Sequence, residues 1–356
     1  ASESRQVAEA IGVAELWLDA ATQFPASGGT VRALSAAEWV EITWPAWQRM
    51  VSPVAASVAN VLTQAIAKRE NELPGELAAG LRGMMRTMGG AVFAMQIGQA
   101  IGALAREVFG LTDIGLPLTE ARSSALLPAA IGRFAAGLDA PIGEVRLFLA
   151  VREAATARLF THVHWLGPHL LGAVEGYARG IEIDVERIET ALRDLDLTDQ
   201  AAVNRALTGG AFAIQRTPAQ KAALERLETT LALVEGWVED VVSGAVAERL
   251  PSAAGLSEMI RRRRAGGGPA ERAFGTLVGL ELRPRRAREA AALWRAVAEA
   301  DGLSGREALW SHPDVLPDSQ ELAEPELFVQ GRRERAAADA DVDAAIAELL
   351  NEDDSR

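Results

Sequence analysis

The sequence predicts a mainly α-helical protein, and its composition, its helix-start signals and its apolar content all indicate this fold class. Alanine, leucine, glutamate and arginine dominate the 356 residues, and runs of β-branched residues are scarce. Thr217, followed by Pro218 and then Gln220, combines an N-cap, a proline at the first helical position and a glutamine at the third. Apolar residues make up 49% of the chain, which is enough to form a real core.

The N-terminal part of the chain is predicted to form helices around a group of tryptophans. Residues 5–23 have the pattern of a first helix, which ends near a proline and a glycine-containing loop. Ser35 and Glu38 form a capping box that predicts the start of the next helix, and we expect Pro45 to interrupt it. We interpret the tryptophans that follow the box as core anchors, with an aromatic ligand surface as the alternative; they are Trp39, Trp44 and Trp47.

Three further helices are predicted at residues 54–69, 75–87 and 89–109. Residues 88–105 are apolar over about the length of one bilayer crossing, but two glutamines, Gln96 and Gln99, lie inside this stretch. We therefore interpret it as a buried helix of the folded core and expect no membrane span.

Three regions are predicted along the chain. The sequence DIGLPL, residues 113–118, breaks the helical pattern and separates an N-terminal helical domain, residues 1–118, from a second helical domain, residues 119–330. Residues 331–356 are rich in alanine and aspartate. We expect an acidic C-terminal tail there, with one short amphipathic helix that is docked weakly.

Composition and charge exclude several classes of function. The chain has no cysteine, so disulfides, thiolate metal sites and a cysteine nucleophile are impossible. The net charge of −13 argues against a general nucleic-acid partner. No signal peptide is visible at the N-terminus, and we expect a cytoplasmic protein. Neither a P-loop nor a Gly-x-Ser-x-Gly motif occurs in its required context, and no dinucleotide fingerprint follows a strand.

The helix that starts after Thr217 is predicted to run to about Leu250 and to carry one buried acidic residue. Glu235 lies four residues after Leu231 and three before Val238, so it shares the apolar face of this helix. Burying a carboxylate on such a face is unfavourable unless the carboxylate is paired or binds a cation. For polar groups in general, burial without a partner costs about 2–7 kcal/mol.

Arginines are concentrated in RRRRAGGGPAER, residues 261–272, and again in residues 280–288. Our first interpretation is that the run Arg261–Arg264 neutralises neighbouring acidic helices. The alternative is a clamp for a phosphate or a substrate carboxylate, which the planar guanidinium suits.

The helix predicted around residues 148–160 carries a polar group in an apolar setting. Arg152 and Thr156 are four residues apart, so they share a helix face, and Glu153 lies beside them. Arg-Glu-x-x-Thr has the spacing of His-Glu-x-x-His. In that motif two imidazoles bind zinc and the glutamate acts as a general base on the zinc-bound water.

The chain resembles the zincin-like metallopeptidase family of hydrolases over most of its length. The segments that carry the resemblance include AELWLDAATQFPA, IGQAIGALAREVFGLTDIGLPL, VREAATARLFTHVHWLGPHLLGAVEGYARGI, LERLETTLALVEGWVEDVV and ALWSHPDVLPDSQEL. The resemblance implies a largely helical zincin-like core with an additional helical N-terminal region. It also implies zinc-dependent attack of water on a peptide bond in members whose motif is intact.

Carried over residue by residue, the resemblance places the two helix ligands of the zinc at Arg152 and Thr156 and the third ligand at Glu235. It leaves the general base at Glu153. Arginine does not lose its proton at any useful pH, and a threonine hydroxyl is a poor zinc ligand. We therefore expect no bound metal, and we predict that Arg152 pairs with Glu235 in the place of the ion.

Three of the four histidines follow this motif closely. We interpret His162, His164 and His169 as residues of a helix end and a turn. The alternative is a displaced metal site that these histidines form with Glu153 or Glu175. His312 precedes Pro313, and we expect it to cap a turn.

These observations lead to three alternative hypotheses for the function. The first is a hydrolase of zincin-like metallopeptidase type whose zinc site is degenerate, and which is inactive as a zinc peptidase. The second is a hydrolase that uses the displaced histidine site. The third is a non-catalytic helical scaffold, or a protein that binds a peptide or another protein.

Overall fold

A computed structural model of the chain describes residues 2–70, 94–119, 122–180, 217–280 and 286–353. The protein is mainly α-helical, as predicted from composition and pattern. Two short strands, β1 (Thr30–Ala33) and β2 (Ser123–Leu126), pair in parallel in the described part of the chain, with Thr30 opposite Ser123 and Ala33 opposite Leu126.

The N-terminal helices are α1 (Ser2–Leu18), α2 (Ala36–Glu70) and α3 (residues 94–105). Helices α1 and α3 end earlier than predicted, at residues 18 and 105 instead of 23 and 109, whereas α2 includes the helix predicted at residues 54–69. The capping box is present, because the Glu38 amide donates to Ser35 Oγ at 3.2 Å and the Ser35 amide donates to Glu38 Oε2 at 2.8 Å. The helix predicted at residues 75–87 lies outside the described residues.

The predicted interruption at Pro45 is wrong. Helix α2 runs through both Pro45 and Pro53, although each proline removes one backbone hydrogen bond. Trp39 and Trp47, one on each side of Pro45, are fully buried, and their indole rings lie 6.4 Å apart. We attribute the continuity to the burial of these two rings, as predicted for core anchors, whereas Trp44 is partly exposed.

The middle of the chain forms helices α4 (Pro128–Ala135), α5 (Ile142–His162) and α6 (Leu166–Arg179). The C-terminal part forms α7 (Pro218–Val246), α8 (Ala253–Ala265), α9 (Pro269–Val278), α10 (Ala287–Ala308, kinked at Gly302) and α11 (Pro325–Asp353). Three 3-10 turns precede α11, at Leu309–Ser311, Pro313–Val315 and Glu321–Ala323. Thr217 and Gln220 form the predicted capping box of α7.

Helix α5 lies at the centre of the fold. It packs against α1, α7 and β2, and every residue from Phe148 to Leu159 is buried. The hydrophobic core is continuous and takes residues from both sides of residue 118, the predicted domain boundary. That division, and the separate tail after residue 330, remain predictions; residues 331–353 belong to helix α11.

In the described part of the chain, no helix combines the length and the apolar character that a membrane span requires. Residues 88–93 of the apolar stretch that raised this question lie outside the described residues.

Gly236 sets the distance between α7 and α10. A Cβ atom at this position would lie 2.6 Å from both the Ala290 Cβ and the Ala291 backbone nitrogen, closer than real Cβ contacts. The glycine therefore lets the two helix backbones approach each other directly beside Glu235, and it fixes where that carboxylate enters the core.

We predict that Gly236→Ala lowers the free energy of unfolding by about 1–3 kcal/mol, because the new methyl group overpacks the contact with α10. Gly244→Ala is the matched control on the same helix, since its Cβ would meet Ala21 at an ordinary 3.8 Å. Denaturant unfolding should show the control unchanged or stabilised by up to about 1 kcal/mol. Equal effects of the two substitutions would contradict the close approach.

Candidate functional site

Four polar residues meet inside the core between α5 and α7. Arg152, Glu153 and Thr156 come from α5 and Glu235 comes from α7, and each exposes less than a tenth of its surface. Buried charged groups persist only when they are paired or hydrogen-bonded, so their partners determine what this cluster can do.

The predicted pair between Arg152 and Glu235 is confirmed. Arg152 Nη2 donates to Glu235 Oε1 at 2.6 Å. Arg264, from the end of α8, contacts the other oxygen, with Nη1 2.6 Å from Glu235 Oε2. Both oxygens of this carboxylate therefore carry a guanidinium, and the contacts tie α5, α7 and α8 together.

Arg264 is a site residue that the sequence did not single out within the arginine run. Its Nη2 also donates to the backbone oxygen of Asp113 at 2.8 Å. The contact spans 151 residues of sequence, so no local pattern could have revealed it.

The rest of the run contacts acidic residues of its own helix and of α7, and the chain just after α3. Arg261 lies 3.2 Å from Glu239, and both Arg261 and Arg262 contact Glu258. Burial raises the pKa of Glu239, one turn after Glu235 on α7, and the charge of Arg261 opposes that rise. These contacts support the first interpretation of the run, the neutralisation of acidic helices.

Glu153 accepts four hydrogen bonds from a different part of the fold. Its Oε1 accepts from the backbone amides of Leu111 and Ala125, both at 3.1 Å. Its Oε2 accepts from the amide of Thr112 at 3.1 Å and from the Thr112 hydroxyl at 2.7 Å. A carboxylate has about four acceptor sites, so these donors fill it.

Gly110 makes this arrangement possible. A Cβ atom there would lie 2.3 Å from Glu153 Oε2 and 2.8 Å from the backbone oxygen of Ala125. The loop after α3 can therefore close onto the carboxylate only with a glycine at this position. Glu153 fastens this loop and strand β2 to helix α5.

Thr156 is engaged within its own helix. Its Oγ1 donates to the backbone oxygen of Arg152 at 2.9 Å, a bond from one turn to the preceding one. The pocket lined by Arg152, Glu153, Thr156 and Glu235 leaves about 20 Å³ for water-sized atoms. That is room for about one water molecule.

The three clustered histidines lie apart from the buried carboxylates. His162 Nε2 is 2.9 Å from the backbone oxygen of Pro25, and its ring stacks on Phe24. His164 is exposed, and His169 is also exposed and meets the edge of Trp165. No three His, Asp or Glu side chains form a group suited to a metal ion within the ranges that the structure describes.

His312 has the structural role predicted for it. Its Nδ1 accepts a hydrogen bond from the Asp314 amide at 3.2 Å, so it caps the turn Pro313–Val315.

We predict that Glu235→Gln destabilises the protein more than Arg152→Met does. The first change leaves the buried guanidinium of Arg152 without its carboxylate and leaves Arg264 only the longer contact with Asp113, at 3.7 Å, whereas after the second change Arg264 still pairs with Glu235. Breaking one half of a buried pair typically costs about 3–5 kcal/mol. The free energies of unfolding of the two variants, measured in urea, test this order.

Arg262→Met is the control for that comparison, because Arg262 lies in the same run but its side chain is 72% exposed. Little change in the free energy of unfolding is expected for it. An effect of Glu235→Gln as small as that of the control would contradict the ion network.

The stability of the protein should also depend on the titration of Glu153. Burial raises the pKa of Glu153 from 4.5 to about 6, although the four donors oppose the rise. The folded state then holds the proton more strongly than the unfolded state does. The contribution of Glu153 to stability therefore falls by about 2 kcal/mol as the pH rises from 4.5 to 6, and stays constant above.

Glu153→Gln isolates this effect, because glutamine does not titrate. The free energy of unfolding of the wild type minus that of the variant should decrease between pH 4.5 and pH 6. A difference that increases over this range would mean that the four donors outweigh burial.

Comparisons with known proteins bear on this site. No curated protein matches the chain. A crystal structure described as "a putative hydrolase with a novel fold", from Chloroflexus aurantiacus, matches with a TM-score of 0.63 and 19% identity, over 94% of this chain and 91% of that one. At this identity the likeness shows a shared fold. The sequence pattern of the zincin-like metallopeptidases matches residues 1–329. Because this match spans most of the chain, the protein belongs to the zincin-like metallopeptidase family.

Proposed function

We propose that this protein is a member of the zincin-like metallopeptidases that has lost catalytic zinc and acts by binding a peptide or another protein. Family membership supports a hydrolase-type ancestry and a peptide-like partner. The observation that carries the proposal is the carboxylate of Glu235, whose two oxygens each contact a guanidinium at 2.6 Å.

The residues at the inferred ligand positions do not fit zinc. Arg152 offers a guanidinium, which has hydrogen-bond donors and no lone pair for a metal. The Thr156 hydroxyl is directed to a backbone oxygen of its own helix. Among the three inferred ligand positions, Glu235 carries a side chain of a kind that binds zinc. A metal ion next to its oxygens would have to displace Arg152 or Arg264.

The inferred general base is also engaged. A general base needs a free acceptor site within hydrogen-bond reach of the proton that it removes. All four acceptor sites of Glu153 are used by Leu111, Thr112 and Ala125. These contacts support a positioning role, in which Glu153 holds the loop after α3 against α5.

A hydrolase with a displaced metal site at His162, His164 and His169 is the second function to be tested, and it requires the chain to bind metal. The cytoplasmic location remains a prediction. A scaffold without a peptide partner would share the loss of zinc but would not bind peptides.

Metal content tests the proposal. Purified protein is dialysed against zinc, then against buffer, and analysed by mass spectrometry. The wild type should retain far less than one zinc per chain. The double variant Arg152→His, Thr156→His is the positive control. It places two imidazoles four residues apart beside Glu235 and should retain more zinc than the wild type.

Near-stoichiometric zinc in the wild type would overturn the proposal. Loss of that zinc in a variant with all three clustered histidines changed to alanine would then favour the displaced site. Loss of it in Glu235→Gln would instead favour a site on α7.

A further inference from the structure

Four arginines meet where helix α3 ends, and they are different from the two arginines that hold Glu235. We call them the α3-end cluster: Arg106, Arg133, Arg263 and Arg272. Arg106 directly follows α3, and its backbone oxygen accepts a hydrogen bond from Arg133 Nη2 of α4. The next residue, Glu107, accepts from Arg263 Nη2 of α8 through its backbone oxygen and from Arg272 Nη2 of α9 through its carboxylate. Four arginines from separate parts of the chain therefore meet at two consecutive residues.

Phe109 brings the helices of the cluster together. Its ring lies 4.9 Å from the ring of Phe134, which follows Arg133 in α4. The guanidinium of Arg263 lies 4.0 Å from the centre of the same Phe109 ring. The contact between Arg263 and Glu107 spans 156 residues, so only the folded chain creates this concentration of charge.

The positive charge of the cluster is largely uncompensated. Glu107 pairs with Arg272 at 2.8 Å. In the described part of the chain, no carboxylate forms an ion pair with the other three arginines of the cluster. Two of those three donate to backbone oxygens just after α3, which accounts for their positions. A helix C-terminus carries only about half a negative charge, so this capping leaves most of the positive charge unbalanced.

Like charges lie close to one another in this region. Burial lowers the pKa of Arg263, and the guanidiniums of Arg264 and Arg272 add to the lowering, whereas Asp113 and Glu107 oppose it. A surface that holds several guanidiniums together without matching carboxylates creates a positive potential, which attracts an anion from solution.

Arg106 and Arg133 are the accessible members of the cluster. Both residues are exposed, whereas Arg263 is partly buried against Phe109 and Arg272 is engaged with Glu107. Arg106 and Arg133 are therefore placed to contact a partner directly. The other two arginines contribute to binding through their charge.

The overall charge of the protein limits the kind of anion that fits. The chain has a net charge of −13, so a long polyanion would be repelled along most of its length. Duplex DNA, for example, carries about one charge per 1.7 Å of its axis. Two accessible guanidiniums, each able to bind a carboxylate in a bidentate manner, match a short run of acidic side chains.

We propose that the α3-end cluster binds an acidic segment of a peptide or protein partner through neighbouring aspartate or glutamate carboxylates. This inference rests on the peptide- or protein-binding role proposed above and names a chemical class for that partner. It does not depend on the loss of zinc. Zinc in the wild type would leave the peptide-binding result as it stands, and a failure to bind acidic peptides would leave the metal result as it stands.

The probe is a hexaglutamate peptide that is acetylated and amidated at its ends. It is titrated into the full-length protein at low salt, and backbone amide resonances are followed by NMR. Hexaglutamate should bind saturably with a millimolar dissociation constant, as expected for a few exposed ion pairs. Hexathymidylate and inorganic phosphate should bind at least about tenfold more weakly, a difference of roughly 1.4 kcal/mol.

A double variant tests whether the cluster is the binding site. Arg106→Gln with Arg133→Gln should weaken hexaglutamate binding by at least about tenfold. The matched control is Arg5→Gln with Arg335→Gln, which removes the same net charge from exposed positions on α1 and α11. The control should change the dissociation constant by less than about twofold, because charges far from the peptide are screened by salt.

Glu107→Gln tests the cluster in the opposite direction. It removes the carboxylate that pairs with Arg272 and should tighten hexaglutamate binding about threefold, within the range of one exposed ion pair. Glu9→Gln, at an exposed position on α1, removes the same charge and should leave binding unchanged. A role limited to capping α3 predicts no gain in either variant.

Three results would overturn the proposal. Equal losses in the two double variants would indicate unspecific attraction by the whole protein. Tighter binding of phosphate or hexathymidylate than of hexaglutamate, lost in the cluster variant, would indicate a phosphate site. The absence of any saturable shift with hexaglutamate would leave these arginines only the role of capping helix α3.

Discussion

The structure depends on one buried carboxylate, Glu235, held between Arg152 and Arg264. Its two contacts, each 2.6 Å long, join helices α5, α7 and α8 at the centre of the core. Gly236 brings α7 against α10 at the residue next to Glu235. A charge in this position requires a cation. Here two guanidiniums supply that charge from within the chain.

The two glutamates of the site are stabilised in different ways. Glu235 is compensated by full positive charges, whereas Glu153 is held by three amides and a hydroxyl. Hydrogen-bond dipoles offset burial only in part, which is why the pKa of Glu153 rises to about 6. The first carboxylate thus orders the helices around α5, and the second orders the loop after α3 and strand β2.

Sequence reasoning predicted the helical fold class because helix periodicity is a local property. It predicted the Arg152–Glu235 pair, which spans 83 residues, from the positions that the resemblance to the zincin-like metallopeptidases implies, together with the positive charge of arginine. It missed the continuity of α2 through Pro45, since burial of two tryptophans outweighed the local signal. It also missed Arg264 and the loop that binds Glu153. Those contacts span from 28 to 151 residues, and only the folded chain brings their members together.

Two guanidiniums, and not a metal ion, neutralise the Glu235 carboxylate. Wild-type crystals are soaked in zinc, and anomalous X-ray scattering is recorded at the zinc edge. This measurement shows where a zinc ion is bound, whereas metal content shows only how much zinc is present. We predict no anomalous peak beside Glu235, with Arg152 and Arg264 both in contact with its oxygens. A peak within coordination distance of Glu235, with either arginine displaced, would contradict the central claim.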